Sequence, residues 1–218
     1  MGKILIAPSV LSADFADFAG ALAQISGSGA DWVHLDIMDG QFVPTITFGP
    51  QLVADLRRRS SAFFDVHLMT KTPRDHIGAF AAAGADAITF HFEAEIHSHR
   101  LLQEIRSLGK KAGISIVPST SAVALADVLP YADIVLVMTV NPGFGGQELI
   151  PECLEKVRFL AHEREKRGLK FLISVDGGIH TGTAPAAVAA GVDVLVTGSA
   201  FFKVEDKAQL VRQLRNPA

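Results

Sequence analysis

Residues 29–37 read Gly29-Ala30-Asp31-Trp32-Val33-His34-Leu35-Asp36-Ile37. A glycine that can take the left-handed cap of a helix leads into a run of period two. Val33, Leu35 and Ile37 make one apolar face, and His34 and Asp36 point the other way. That is a strand packed under helices. Gly84-Ala85-Asp86 and Gly191-Val192-Asp193 introduce further apolar runs in the same way. Working outward, β-branched apolar runs fall near 4–8, 31–37, 62–68, 86–92, 113–118, 133–138, 170–175 and 193–197. Helical patterns fall near 14–27, 51–59, 73–83, 98–109, 121–128, 150–167, 182–190 and 205–215. Eight strand–helix units of about 27 residues match the βαβ repeat. Strict alternation implies a parallel sheet covered by helices. An open doubly wound sheet would carry a glycine-rich turn after its first strand. Ala7-Pro8-Ser9-Val10 holds neither that turn nor a P-loop. The pattern predicts an α/β chain folded as one (β/α)8 TIM barrel over residues 1–218.

The composition fits. The 218 residues carry a net charge of −3, with 49% hydrophobic and 20% charged residues, which excludes a disordered chain. The slightly acidic balance argues against nucleic acid as a partner. No apolar run approaches the ~20 residues that span a bilayer, and the first residues are too short for a signal peptide. A single cysteine, Cys153, allows no intramolecular disulfide and points to a reducing, cytoplasmic setting.

Several strands turn polar side chains inward near their C-terminal ends, where barrel enzymes keep their chemistry. In Phe64-Asp65-Val66-His67-Leu68-Met69, the residues facing in are Asp65, His67 and Met69. In Phe171-Leu172-Ile173-Ser174-Val175-Asp176 they are Ser174 and Asp176, and His91 has the same phase on the fourth strand. Unpaired polar groups in a packed interior are costly. His34, Asp36, His67 and Asp176 can together hold one divalent ion, and imidazole with carboxylate suits Zn, Mn, Fe or Co. Asp36 and Asp176 approach the barrel mouth from different sides, so a substrate between them has one carboxylate on each face. Glu93, Glu95, His97 and His99 read instead as a solvated polar turn.

Three glycine-bearing loops follow the last strands: Asn141-Pro142-Gly143-Phe144-Gly145-Gly146-Gln147, Gly177-Gly178 and Gly198-Ser199-Ala200. Their backbone N–H groups can cradle a phosphate without help from lysine or arginine. Met38, Met69 and Met138 sit at strand ends on the same rim and read as a soft, water-poor lid.

The segments His34-Leu35-Asp36-Ile37-Met38-Asp39-Gly40, Asp65-Val66-His67-Leu68-Met69, Val140-Asn141-Pro142-Gly143-Phe144-Gly145-Gly146-Gln147 and Val175-Asp176-Gly177-Gly178 resemble ribulose-phosphate 3-epimerases, and the likeness runs over essentially the whole chain. The resemblance implies a ribulose-phosphate-binding barrel that interconverts D-ribulose 5-phosphate and D-xylulose 5-phosphate in pentose phosphate metabolism. It implies that His34, Asp36, His67 and Asp176 bind one divalent metal, and that Asp36 and Asp176 are proton acceptor and donor. It also implies that Ser9 touches the substrate beside His34, His67 and Asp176, that Gly143, Phe144, Gly145, Gly146, Gly177, Gly178, Gly198 and Ser199 surround the phosphate, and that the chain forms a homo-oligomer. The sequence departs from the family at Thr45, usually Asn, and at Val117-Pro118-Ser119-Thr120-Ser121, usually Asn-Pro-x-Thr-Pro. These departures keep 3-epimerisation of D-allulose 6-phosphate open. A glycosidase leaves the histidines unexplained. A related decarboxylase would need a lysine within Asp36-Ile37-Met38-Asp39. A non-catalytic sugar-phosphate barrel has no use for two carboxylates beside two histidines.

Overall fold

Eight parallel strands pair in the ring order β1-β8-β7-β6-β5-β4-β3-β2. They are β1 (Leu5–Pro8), β2 (Trp32–Met38), β3 (Phe63–Met69), β4 (Ala87–His91), β5 (Lys111–Ile116), β6 (Ile134–Met138), β7 (Leu172–Asp176) and β8 (Val194–Thr197). The ring closes where Asp31 N donates to Ile6 O at 2.9 Å and Ser9 bridges His34. This computed structural model describes residues 2–217; Met1 and Ala218, the ends of the expected 1–218 barrel, lie outside the described residues.

All eight expected strands form. The helices are α1 (Phe18–Ser28), α2 (Pro50–Arg57), α3 (Arg74–Ala83), α4 (Ser98–Ser107), α5 (Cys153–Lys166), α6 (Ala184–Ala190), α7 (Ser199–Lys203) and α8 (Lys207–Arg215). Two elements differ from the sequence expectation. The pattern near 121–128 is no α-helix but a 3-10 turn, Ala122–Leu125, followed by another, Leu129–Tyr131. Ser121 caps the first turn by accepting from Val123 N, and Pro130 disfavours α-helical backbone at Leu129, so no α-helix propagates. Conversely α7, five residues long, follows directly on β8; it is too short to show a period.

The strand faces divide as the alternation predicts. Val33, Leu35, Phe64, Val66 and Leu68 pack under the helices in one large core. Ala7, Trp32, Ala87, Ile134, Val194 and Val196 fill the lower barrel, where Trp32 stacks on Phe63 at 4.5 Å.

A recurring polar joint holds the floor. Asp31, Asp86, Asp133 and Asp193 stand immediately before β2, β4, β6 and β8. Their carboxylates accept from Ile6 N (3.0 Å), Phe64 N (2.7 Å), Ala112 N (2.9 Å) and Ile173 N (2.8 Å), each the second residue of the preceding odd strand. Each also binds an arginine from a helix that follows an even strand: Arg215 with Asp31, Arg57 with Asp86, Arg106 with Asp133, Arg164 with Asp193. The arginine charge sets the outer end of each joint, and the backbone N–H sets the inner end.

Ion pairs of two kinds are present, and they should differ in worth. Asp86→Ala strands the Phe64 N–H and Arg57 and is expected to cost about 1–3 kcal/mol. Asp55→Ala, which removes the exposed pair with Arg58 on α2, should stay within about 0.5 kcal/mol of the parent. Urea unfolding of the two variants measures the contrast.

Candidate active site and metal centre

The register of β2 against β3 sets Asp36 opposite His67 and His34 opposite Asp65. Two inward columns, one per strand, therefore alternate acid and imidazole. His67 Nδ1 lies 2.9 Å from Asp36 Oδ1, and His34 Nδ1 lies 2.8 Å from Asp65 Oδ2. The Ser9 hydroxyl donates to Asp36 Oδ2 at 2.5 Å, an approach that the β1–β2 bridge makes possible. Asp176 arrives from β7, with Oδ2 3.9 Å from His34 Nε2.

One ligand atom from each of His34, Asp36, His67 and Asp176 falls in a cluster whose members all lie within 4.8 Å of one another. Among the described residues this is the one such group, and Glu93, Glu95, His97 and His99 form none. The cluster fits a divalent ion on its own geometry. His34 Nε2 is fully buried and makes no hydrogen bond: Asp36 Oδ1, at 3.2 Å, is not aligned to accept. Its other ring nitrogen is held by Asp65, the carboxylate–histidine arrangement common behind metal ligands. Two imidazoles and two carboxylates make an N2O2 donor set suited to Zn, Mn, Fe or Co.

Burial works on these groups in different directions. It pushes Asp36 up, but His34 and His67 outweigh it and hold the carboxyl far below the usual range. Burial pushes His34 down, but Asp36 and Asp65 outweigh it and raise the imidazole well above its ordinary value. Burial and the Asp36 charge raise Asp176 to about 6. Asp36 thus stays ionised under conditions, below about pH 6, where Asp176 takes up a proton.

Above the cluster lies a cavity of about 240 Å³. Ser9, Asp36, Asp176, Met38, Met69 and Met138 line it toward the barrel, and Gly143, Phe144, Gly145, Gly146, Gly177, Gly178, Gly198 and Ser199 toward the loops. The three methionines are buried and form its wall. His34 and His67 lie fully buried and are not part of that lining. Among the described residues, no lysine or arginine faces the cavity. Among the described residues, the N–H groups of Gly145, Gly146, Gly178 and Ser199 donate to no other protein group. Gly178 must be glycine: its φ is +66°, and a Cβ there would sit 2.3 Å from Leu149 N. Thr45 Oγ1 donates to Gly143 O at 2.7 Å and ties the β2 loop to this cradle.

Sequence reasoning missed Leu11, Ser12 and His180 at the cavity, although the first two follow β1 directly. It also placed Glu93 in solvent. Although the residue is partly exposed, its carboxylate turns inward, with Oε1 accepting from Val117 N at 2.9 Å and Oε2 3.4 Å from His91 Nδ1. Burial raises the Glu93 carboxyl, but His91, Thr120 and the Val117 N–H outweigh it and bring it to about 2.

The model of the "Ribulose-phosphate 3 epimerase family" matches residues 5–202. A ribulose-phosphate 3-epimerase from Treponema pallidum (strain Nichols) is 56% identical over 197 residues, covering 90% of each chain. One from Rhodobacter capsulatus is 52% identical over 201 residues, 92% of this chain and 87% of that protein. Among solved structures, 3-hexulose-6-phosphate synthase from Salmonella typhimurium superposes with a TM-score of 0.71 at 16% identity, covering 97% of each chain, and shares the barrel fold. No helix among the described residues is long and apolar enough to cross a membrane.

The charge pattern predicts proton-coupled metal uptake. Below pH 6 the metal-free site holds a proton on Asp176 and another on His34, and an incoming ion must displace both. Zn(II) binding at pH 5 is expected to release about two protons per ion. The Asp176 share should vanish as the pH rises through 6. Calorimetry in buffers of different ionisation enthalpy reads the count, and a release that does not fall across pH 6 contradicts the assignment.

Proposed function

Because this chain belongs to the ribulose-phosphate 3-epimerase family and is an epimerase, we propose that it inverts C3 of D-ribulose 5-phosphate to give D-xylulose 5-phosphate by two-aspartate proton transfer. The observation that carries this reading is the pair of carboxyls lining one cavity from β2 and β7, one held ionised and the other raised to about 6. Two acids pushed apart in this way have separate roles.

The C3 proton is acidic because it lies α to the C2 ketone. Asp36 takes it from one face of the sugar, leaving a planar 2,3-enediolate. Protonated Asp176 delivers its proton to the other face, and the configuration inverts. The reverse reaction exchanges the two roles. The hydrogen bond from Ser9 fixes the rotation of the Asp36 carboxylate, so its proton-accepting geometry exists before substrate enters. His34, Asp36, His67 and Asp176 would hold a divalent ion, which would supply Lewis-acid charge at the mouth. Met38, Met69 and Met138 keep the site poor in water, which strengthens every charge interaction inside it.

The phosphate is assigned to the glycine cradle, where free backbone N–H groups replace cationic side chains. Anchoring the far end of the sugar converts binding energy into orientation of C3 between the two acids. The same proposal takes residues 1–218 as one catalytic domain, working in the cytoplasm as a homo-oligomer on a free ketose phosphate. The lone Cys153, buried and unpaired, agrees with a reducing compartment.

Proton NMR of D-ribulose 5-phosphate in D2O with metal-loaded protein is expected to show xylulose 5-phosphate carrying deuterium at C3. Asp176→Asn should lower turnover by about 10²–10⁴-fold, with fold and metal content checked separately. Near-parental turnover by that variant would sink the two-acid scheme. Reaction only with D-allulose 6-phosphate would move the substrate to six carbons.

A further inference from the structure

The loop after β6 is the cavity wall with the least regular structure. It runs from Thr139 to Glu152 without helix or strand and brings Gly143, Phe144, Gly145 and Gly146 to the cradle. Gln147 Nε2 donates to Asn141 O (2.7 Å) and Phe144 O (2.9 Å), so the loop holds its own shape. Among the described residues, one hydrogen bond reaches residues 141–148 from outside the loop: Thr45 Oγ1 donates to Gly143 O at 2.7 Å. We propose that Thr45 is a positioning residue that sets substrate length: its bond fixes the span from the two acids to the phosphate cradle, and so selects among ketose phosphates by carbon count. The proposal rests on the substrate reading given above and deepens it.

Thr45 matters because of what stands behind it. β2 and β6 lie opposite each other in the ring, so the bond crosses the barrel mouth. Thr45 belongs to a hairpin that grows from the strand bearing Asp36. Asp39 bridges Ile46 in antiparallel fashion, Gly40 N donates to Thr45 O at 3.0 Å, and Thr47 N donates to Met38 O at 3.2 Å. Thr47 Oγ1 donates to the backbone carbonyl of Asp36 at 2.8 Å and accepts from Met38 N at 3.0 Å. Asp39 Oδ1 accepts from Gln41 N and Phe42 N, which closes the tip, and Val43 packs with Met38 and Met69. A short chain of bonds therefore runs from the backbone of Asp36 through Thr47 and Thr45 to Gly143. Packing follows the same line: a Cβ at Gly143 would sit 3.3 Å from Val43 Cβ.

A substrate held at both ends reads this distance. The acids meet the carbon that exchanges its proton, and backbone N–H groups hold the phosphate. Gly177-Gly178 and Gly198 follow β7 and β8 directly, so their parts of the cradle keep the height of their strands. The β6 loop has the length to move, and Thr45 ties it to the strand that carries Asp36. One further carbon between the reacting centre and the phosphate adds more than about 1 Å, and a misplacement of that size can cost about 10²-fold in rate. Inorganic phosphate touches the cradle alone and has no second end to place. Its affinity should not depend on the span.

Metal-loaded protein is assayed with D-ribulose 5-phosphate and with D-allulose 6-phosphate, and inorganic phosphate serves as a competitive inhibitor. The parent is expected to prefer one ketose phosphate by about 10-fold or more in kcat/KM. Thr45→Val keeps the branched shape and removes the donor. It should lower kcat/KM for the preferred substrate by about 3–10-fold, the worth of one neutral hydrogen bond. The other substrate and the phosphate inhibition constant should stay at parental values. Thr45→Ser keeps the hydroxyl and should restore the parental preference. Unchanged selectivity in Thr45→Val overturns the proposal. An equal loss on both substrates with weaker phosphate inhibition also overturns it, because Thr45 would then only prop the cradle. If Thr45→Val does not fold, Thr45→Ala gives the same comparison. A parent that turns over both ketose phosphates equally overturns length selection and leaves the epimerase reading standing. A parent that turns over neither overturns the substrate reading and this proposal with it.

Discussion

Asp36 Oδ1 sits between two imidazoles, 3.2 Å from His34 Nε2 and 2.9 Å from His67 Nδ1, with almost no surface open to water. A carboxylate in that position is tolerable only if its charge is matched and its lone pairs are used. Much of the barrel answers that requirement. Ser9 occupies the second oxygen because β1 closes on β2 at that height. Asp65 balances His34 from the neighbouring strand, and the β2–β3 register brings acid against imidazole twice. A slip of one residue would place every one of these groups among the helices. The charge on Asp36 also helps raise Asp176, so the difference between the two acids follows from their shared burial.

Much of this was legible in the amino-acid sequence, and the legible part has a physical pattern. Period two in residues 32–37 reveals which side chains face inward, and glycine before aspartate marks where strands begin. His34, Asp36, His67 and Asp176 follow from phase and strand end alone. Contacts that depend on registry between strands did not show. His91 had the right phase, yet its approach to His67 depends on how β3 and β4 align. Glu93 looked like part of a polar turn because nothing in one segment reveals that Val117, on another loop, points an N–H at it. Asp133 completes the floor joints but follows Tyr131-Ala132 rather than a glycine, so the pattern of three seen in the sequence became four only in the structure. The 121–128 segment shows the limit of periodicity itself: its apolar spacing suits a helix, and capping and proline chemistry decide otherwise.

The cavity divides its labour by kind of group. Side chains on strands hold charge and protons in fixed geometry, while the loops offer backbone N–H groups and no cationic side chain. Strands can fix a carboxylate closely because each neighbouring strand restrains them. Glycine loops allow the chain to pass close to an anion, and the contact at Gly178 shows how little room a side chain would have. The Thr45 bond to Gly143 joins the two regions, so a small polar residue bridges loops that belong to distant strands.

The four aspartate–arginine joints recur once per pair of strand–helix units, always from the helix after an even strand to the start of the next even strand. Geometrically the barrel is four similar quarters locked at their base. Their open ends are free to diverge: β2 and β3 carry acid and imidazole, and the loops after β6, β7 and β8 carry glycines. Stability and chemistry are thereby assigned to opposite ends of the same strands. A lineage built this way can rewrite its rim loops one quarter at a time while the base keeps each quarter in place.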